Sequence, residues 1–184
     1  MTRSDQAILD RLENKALHYL GRYASTAQRL EMVLTRFGRR KMADEDPERM
    51  AQLIARKVEE CRRRGYVDDT AFAETKSASL RRQGASTASI RRKLMERGVD
   101  RDVIHTVLDK MDTSELAEMN AAAIHARRRR LGPYARPESL RDGWENRHLG
   151  SFARAGFSSA IARRIMAFED AADLETWLAE QDDG

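Results

Sequence analysis

At 184 residues the chain has room for one domain or a few small helical units in series. Charged residues make up 35% of it and aromatic ones 6%, with 10 glycines and 3 prolines, a mixture that favours long helices with solvated faces and leaves little place for a sheet. The formal charge of +4 is uneven, because residues 169–184 hold seven acidic side chains and no basic one, which leaves +11 for the rest; a body so positive attracts polyanions, nucleic acid first among them.

In chain order, Ile8, Leu12, Ala16 and Leu20 recur every four residues with Leu9, Leu17 and Tyr23 beside them, so the first segment reads as an amphipathic helix. Ser25, with Gln28 three residues later, predicts a capped second helix carrying Leu30, Val33, Leu34 and Phe37 and ending at Gly38. Asp46-Pro47 supplies a cap and an N-terminal proline for a third, striped by Met50, Leu53, Ile54, Val58 and Cys61 and closed by Gly65. Asp68 or Asp69 then caps a helix with Phe72, Ala73 and Leu80. Gly84 breaks it, and Ser86 caps the next, which runs through Ile90 and Leu94 to Gly98. Asp100 opens a helix bearing Val103, Ile104, Val107, Leu108 and Met111, and Asp112 with Glu115 forms a further capping pair before a long helix through Ala126. The chain bends around Gly132, Pro133 and Pro137; Leu140, Trp144, Leu149 and Phe152 restore helical spacing up to Gly156, and Ser158 caps a helix carrying Ile161, Ile165 and Met166.

These pieces repeat. Leu30, Leu34 and Gly38 match Ile90, Leu94 and Gly98, while Leu94, Gly98, Val99, Asp100, Val103 and Val107 match Phe152, Gly156, Phe157, Ser158, Ile161 and Ile165. The expected fold is all-α, an elongated tandem array of three three-helix, helix-turn-helix-like repeats over residues 1–64, 65–111 and 112–168, followed by a partly helical acidic tail over 169–184.

Little in the sequence points to catalysis. Cys61 stands alone, so neither a disulfide framework nor a zinc thiolate cluster is expected, and a reducing cytoplasm suits the chain. His18, His105, His125 and His148 lack metal-ligand spacing and read as surface or boundary residues. No glycine-rich phosphate loop and no GxSxG elbow appear, so no cofactor, small-molecule substrate or catalytic residue is predicted. The first twenty residues contain no continuous apolar run, which argues against a signal peptide, a membrane span or a membrane partner. Tyr66-Val67-Asp68-Asp69 matches the magnesium-holding tetrapeptide of reverse transcriptases in letters, but its aspartates precede a helix and read as caps.

What remains is a series of basic clusters: Arg39 to Lys41, Arg62 to Arg64, Arg81-Arg82, Arg91-Arg92-Lys93, Arg127-Arg128-Arg129-Arg130 and Arg163-Arg164. Cations at helix C-termini complement the helix dipole, yet together the clusters form a track suited to phosphates. Aromatic interleaving is thin, with Tyr66, Phe72, Tyr134, Trp144, Phe152 and Phe157 mostly at core-like positions, so neither base stacking nor sequence-specific readout is indicated.

Gly65-Tyr66-Val67-Asp68-Asp69 with Phe72-Ala73, then Arg81-Arg82-Gln83-Gly84, Ile90, Leu94 and Arg97-Gly98-Val99, resembles the central repeat of the RecX regulatory proteins. Ala16-Leu17-His18-Tyr19-Leu20 with Leu30 and Leu34 is similar to the family's first repeat. Ala126 to Tyr134 and Ala155-Gly156-Phe157-Ser158 are similar to its last. The likeness spans about residues 12–166; Thr75 and Lys76 stand where the family usually carries a tryptophan, and the resemblance does not extend to the acidic tail after Phe168. The resemblance implies three tandem repeats that lodge in the groove of the RecA filament on DNA and suppress its ATPase, strand-exchange and coprotease activities. Arg81, Arg82, Arg91, Arg92 and Lys93, with Arg127, Arg128, Arg129 and Arg130, are the expected contact surface for filament and DNA. The alternative reading is a helix-turn-helix transcription regulator, since short capped helices joined by tight turns serve both.

Overall fold

A computed structural model describes residues 3–137 and 142–182. As the sequence predicts, the described residues are all helical, without a strand. The helices are α1 (Arg3–Leu20), α2 (Ala27–Lys41), α3 (Pro47–Arg63), α4 (Asp69–Arg82), α5 (Thr87–Glu96), α6 (Arg101–Lys110), α7 (Glu115–Arg129), α8 (Trp144–Ala155), α9 (Ser159–Met166) and α10 (Ala171–Asp182), with a 3-10 turn over Gly132–Tyr134. Leu140 lies outside the described residues.

Local chemistry explains most boundaries. Asp46 accepts from the Arg49 N–H at 2.7 Å and Pro47 occupies the first turn of α3. Asp68, Ser86, Asp100 and Ser158 stand at the starts of α4, α5, α6 and α9, each side chain accepting a backbone N–H of its own helix at 2.8–3.2 Å. Gly65 closes the turn after α3 in a left-handed conformation. Three sequence expectations are corrected. Thr26, not Ser25, caps α2, accepting from Arg29 N–H at 3.2 Å, while the Ser25 hydroxyl lies 3.1 Å from that of Tyr19. Gly38 does not end α2 but lies within it, buried where Met50 of α3 packs close; the helix runs three residues further. Ser114, not Asp112, caps α7; the Asp112 carboxylate instead accepts the Ser114 N–H.

The helices form two compact units, Met1–Glu74 with Leu94–Ile104 and Thr75–Lys93 with His105–Gly184. In the first, Leu12, Leu30 and Leu34 are fully buried among Ile8, Leu9, Leu53, Ile54 and Val58. Burying each such leucine stabilises the fold by roughly 1.5–3 kcal/mol. Lys57 is buried beside this core. Desolvation alone would lower its pKa, but hydrogen bonds to Glu60 at 2.7 Å and Glu13 at 3.2 Å outweigh that and hold it above the ordinary lysine value.

In the second unit, Met119, Phe152, Ile165 and Leu174 are fully buried. Leu174 belongs to α10, and Trp177 and Leu178 pack on the same core, so the acidic segment is seated by apolar contacts. His125 lies 5.6 Å, centroid to centroid, from both Phe152 and Phe157. His148 is buried, with Nδ1 accepting the Gly132 N–H at 3.1 Å. His125, half-buried, keeps the expected boundary position, whereas His148 is a buried structural element, against the expectation of a surface or boundary role. Burial, reinforced by neighbouring arginines, lowers the pKa of both.

One arrangement occurs once in each unit. In the first, the Thr26 hydroxyl that caps α2 also donates to the Arg97 carbonyl at 2.7 Å, and Asp69 accepts the Ala27 N–H at 2.8 Å while pairing with Arg62 at 3.1 Å. In the second, the Ser86 hydroxyl that caps α5 donates to the Ala155 carbonyl at 2.7 Å, and Glu118 accepts the Thr87 N–H at 2.9 Å while pairing with Arg81 at 2.7 Å. Arg97 and Ala155 each precede a glycine with positive φ, 78° at Gly98 and 87° at Gly156. A Cβ at Gly98 would press on the Gln28 side chain in the first turn of α2, 2.8 Å from its Cδ, and one at Gly156 on the cap itself, 2.8 Å from Ser86 Oγ. Each joint thus locks a helix N-terminus onto a glycine turn and onto the start of another helix.

Glu118 is the charged centre of the second joint: burial would raise its pKa, but hydrogen bonds from Thr87 and Arg81 outweigh it and hold it low. Glu118→Ala leaves Arg81 half-buried without its counter-charge, and is expected to destabilise the protein by about 3 kcal/mol in urea unfolding. Glu115→Ala, which breaks only the exposed pair with Arg164, is expected to cost less than about 1 kcal/mol. Because the folded pKa values of His125 and His148 lie below the unfolded value near 6.5, their contribution is complete above that pH and lost as pH falls below it. A melting temperature that drops between pH 7 and 5, and drops less in His125→Phe, is the expected result.

Candidate functional site

Beside the second joint, a cleft of about 500 Å3 is lined by Gln83, Gly84, Ala85 and Ser89, by Arg92 and Lys93 of α5, by His125, Arg128 and Arg129 of α7, and by Ala155. Four cationic side chains and no acidic one line it. Helical spacing selects which arginines take part. Ser89, Arg92 and Lys93 stand at i, i+3 and i+4 on α5, and His125, Arg128 and Arg129 at the same spacing on α7, so each helix offers one face. Arg128 is held by a hydrogen bond to the Gln83 carbonyl at 2.8 Å. The pKa of His125 is lowered by burial first and by Arg129 and Arg128 second, and its Nε2 is buried without a partner among the described residues.

Clustered guanidinium and ammonium groups around a concave, acid-free wall suit a polyanion, because arginine forks match phosphate or carboxylate oxygens in pairs. Fixed positions matter here. A cation already held by the fold loses less side-chain entropy on binding than a free surface arginine.

The structure sorts the sequence-predicted contact residues into three groups. Arg92, Lys93, Arg128 and Arg129 come together in the cleft. Arg82, Arg91, Arg127 and Arg130 are exposed but do not line it; Arg127 lies 4.0 Å from Glu175 of α10, and Arg130 ends α7 with φ 56°. Arg81 faces inward, held by Glu118, Thr87 and the Ala85 carbonyl, and serves the joint. Of the motif residues, Ala73 is fully buried, Phe72 half-buried and Tyr66 48% exposed, which corrects its core-like reading. Asp68 caps α4 as expected, whereas Asp69 reaches across to α2. Ser89 and His125 are the lining residues that composition alone passes over; their spacing to the neighbouring cations is the pattern that marks them.

Among the described residues, no group of three or more His, Cys, Asp and Glu is placed to hold a metal ion, and no helix is long and apolar enough to cross a membrane. The family model for the second three-helix domain of RecX matches residues 68–108, which span α4 to α6. The regulatory protein RecX of Myxococcus xanthus (strain DK1622) is 40% identical over 162 residues, covering 84% of this chain and 83% of that protein. The regulatory protein RecX of Agrobacterium fabrum (strain C58) is 34% identical over 165 residues, covering 88% and 85%. No solved structure matches the chain significantly. With relatives of that identity aligned over most of both chains, and the central helices matched by the family's own second domain, the protein belongs to the RecX family of regulatory proteins.

Proposed function

We propose that this protein binds the RecA filament on DNA in the cytoplasm and limits its ATPase, strand-exchange and coprotease activities, without a cofactor or catalysis of its own. The observation that carries the reading is the cleft of Arg92, Lys93, Arg128 and Arg129, a preformed cationic surface in a member of a regulatory family. DNA phosphates, contacted without sequence readout, are the ligand such a surface favours. Three successive three-helix repeats over residues 1–64, 65–111 and 112–168 present such contacts in series. Weak contacts in series add through effective concentration. A ligand that grips one filament conformation better than another shifts the population toward it and so opposes the shape changes that accompany ATP turnover.

The test is RecA ATPase on single-stranded DNA with this protein titrated in. The double variant Lys93→Glu/Arg129→Glu is expected to need about tenfold more protein for half-inhibition. Its salt slope of binding to single-stranded DNA should fall by about 1.4, since two phosphate contacts are lost. Circular dichroism should be unchanged. Arg91→Glu/Arg127→Glu, outside the cleft, is expected to act more weakly. Unaltered inhibition by the first variant would remove the cleft from the contact surface, and sequence-selective duplex binding with no effect on RecA would make the chain a transcription regulator instead.

A further inference from the structure

The first joint has a cleft of its own, in the position that the basic cleft occupies at the second. Tyr23, Ala24, Ser25 and Arg29 stand 60 residues before Gln83, Gly84, Ala85 and Ser89, and Arg97 stands 58 before Ala155; each set lines the cleft of its own joint. These are the same offsets that relate Thr26 to Ser86 and Gly98 to Gly156. The chemistry differs. At the first joint the walls are aromatic, with Tyr19, Tyr23 and Phe72 around about 260 Å3, and two cations, Arg29 and Arg97, at the same opening.

Several features make this a receptor rather than a crevice. Tyr19 and Tyr23 lie 5.4 Å apart, centroid to centroid, tilted by 39°. Tyr23 is 58% exposed, a large ring left in water at a site where a flat partner would cover it. Tyr19 is steadied by the bond between its hydroxyl and buried Ser25, and the Arg97 backbone is fixed by Thr26, so both walls are set before any ligand arrives. Among the described residues, no hydrogen bond or ion pair engages the guanidinium of Arg29 or Arg97, and no acidic residue lines the cleft. Rings beside unpaired guanidinium groups suit a ligand that is planar and anionic at once, which describes a nucleotide of a single strand. A duplex hides its base faces, and the space admits one base. An acidic peptide matches the cations but gives the rings nothing flat to cover.

We propose that the Tyr19–Tyr23–Phe72 cleft holds one unstacked base of single-stranded nucleic acid, with Arg29 and Arg97 receiving its phosphate. The inference concerns a different unit from the basic cleft and stands or falls separately from the regulatory reading. Binding of an oligothymidylate is compared with that of an abasic oligomer of equal length, which keeps the phosphates and lacks the bases. The intact protein is expected to prefer the oligothymidylate, and Tyr23→Ala to weaken it on the order of tenfold while leaving the abasic oligomer unchanged. Tyr23→Phe, which keeps the ring, is expected to bind as the parent does. The loss should persist at high salt, where phosphate contacts are weakened. Equal affinity of the parent for both oligomers, or equal loss on both in Tyr23→Ala, overturns the proposal. So does a Tyr23→Ala variant that keeps its oligothymidylate affinity and loses association with nucleic-acid-free RecA, because the cleft would then take protein.

Discussion

The hydroxyl that caps a helix and also donates to the carbonyl before a left-handed glycine is the contact on which this architecture depends. A helix N-terminus leaves four backbone donors without intrahelical partners, and a turn leaves carbonyls without donors; bringing the two together satisfies both. Thr26 does this with Arg97 and Ser86 does it with Ala155, at the same 2.7 Å, and in each case a carboxylate takes the next N–H. Because the bond draws the start of the capped helix against the turn, a side chain on the glycine that follows would press on Gln28 at Gly98 or on Ser86 and Ala88 at Gly156. The cap, the carboxylate and the glycine are therefore one device rather than three separate preferences. Each compact unit contains one copy of it, and the division between the units falls within α4 and within α5.

Much of this was legible in the sequence. Placing Leu30 and Leu34 on Ile90 and Leu94, and Gly98 on Gly156, fixes offsets of 60 and 58 residues, and the two joints fall on those offsets. Apolar periodicity located the helices because burial of one face dominates helix formation in a folded chain. Choices between adjacent residues were not legible. Ser25 and Thr26 are both good caps by type, and only the tertiary partner, Arg97 for one and Tyr19 for the other, decides which takes the role. Gly38 reads as a stop because glycine usually is one, yet it lies inside α2, buried against Met50 of α3, where a Cβ would meet that side chain at ordinary contact distance. Asp69 read as a cap of its own helix, and its service to α2 depends on a contact 42 residues away.

The candidate site shows the same division. That arginine-rich runs mark the surface follows from composition, but runs of three or four consecutive cations point around a helix in every direction. Periodicity separates them: within 91–93 and 127–130 it selects Arg92 with Lys93 and Arg128 with Arg129, whose partners at i−3 and i−4 are Ser89 and His125. Arg81 shows the limit of counting charge. It belongs to a basic pair, yet Glu118 and Thr87 hold it inside the joint, and only the pairing reveals that.

Net charge by segment misleads in a related way at the C-terminus. The contrast between +11 and −7 suggests a cationic body with a free anionic tail, but Leu174 is fully buried and Trp177 lies 4.7 Å beneath the Arg164 guanidinium, so α10 is part of the unit that carries the basic cleft. Glu175 accepts from the Tyr134 hydroxyl at 3.1 Å, and burial first and Glu175 second push that phenol up to about 12, keeping it a donor at physiological pH. The same carboxylate stands 4.0 Å from Arg127. Surface charges are screened beyond about 8 Å in physiological salt, so a fixed acidic helix acts on the cations it touches rather than on the whole surface. Glu175 therefore moderates Arg127, which points outside the cleft, and the cations that line the cleft keep a wall without a carboxylate. Opposite charge is thus built into one unit without being cancelled, because apolar anchoring, not attraction, decides where the acidic helix lies.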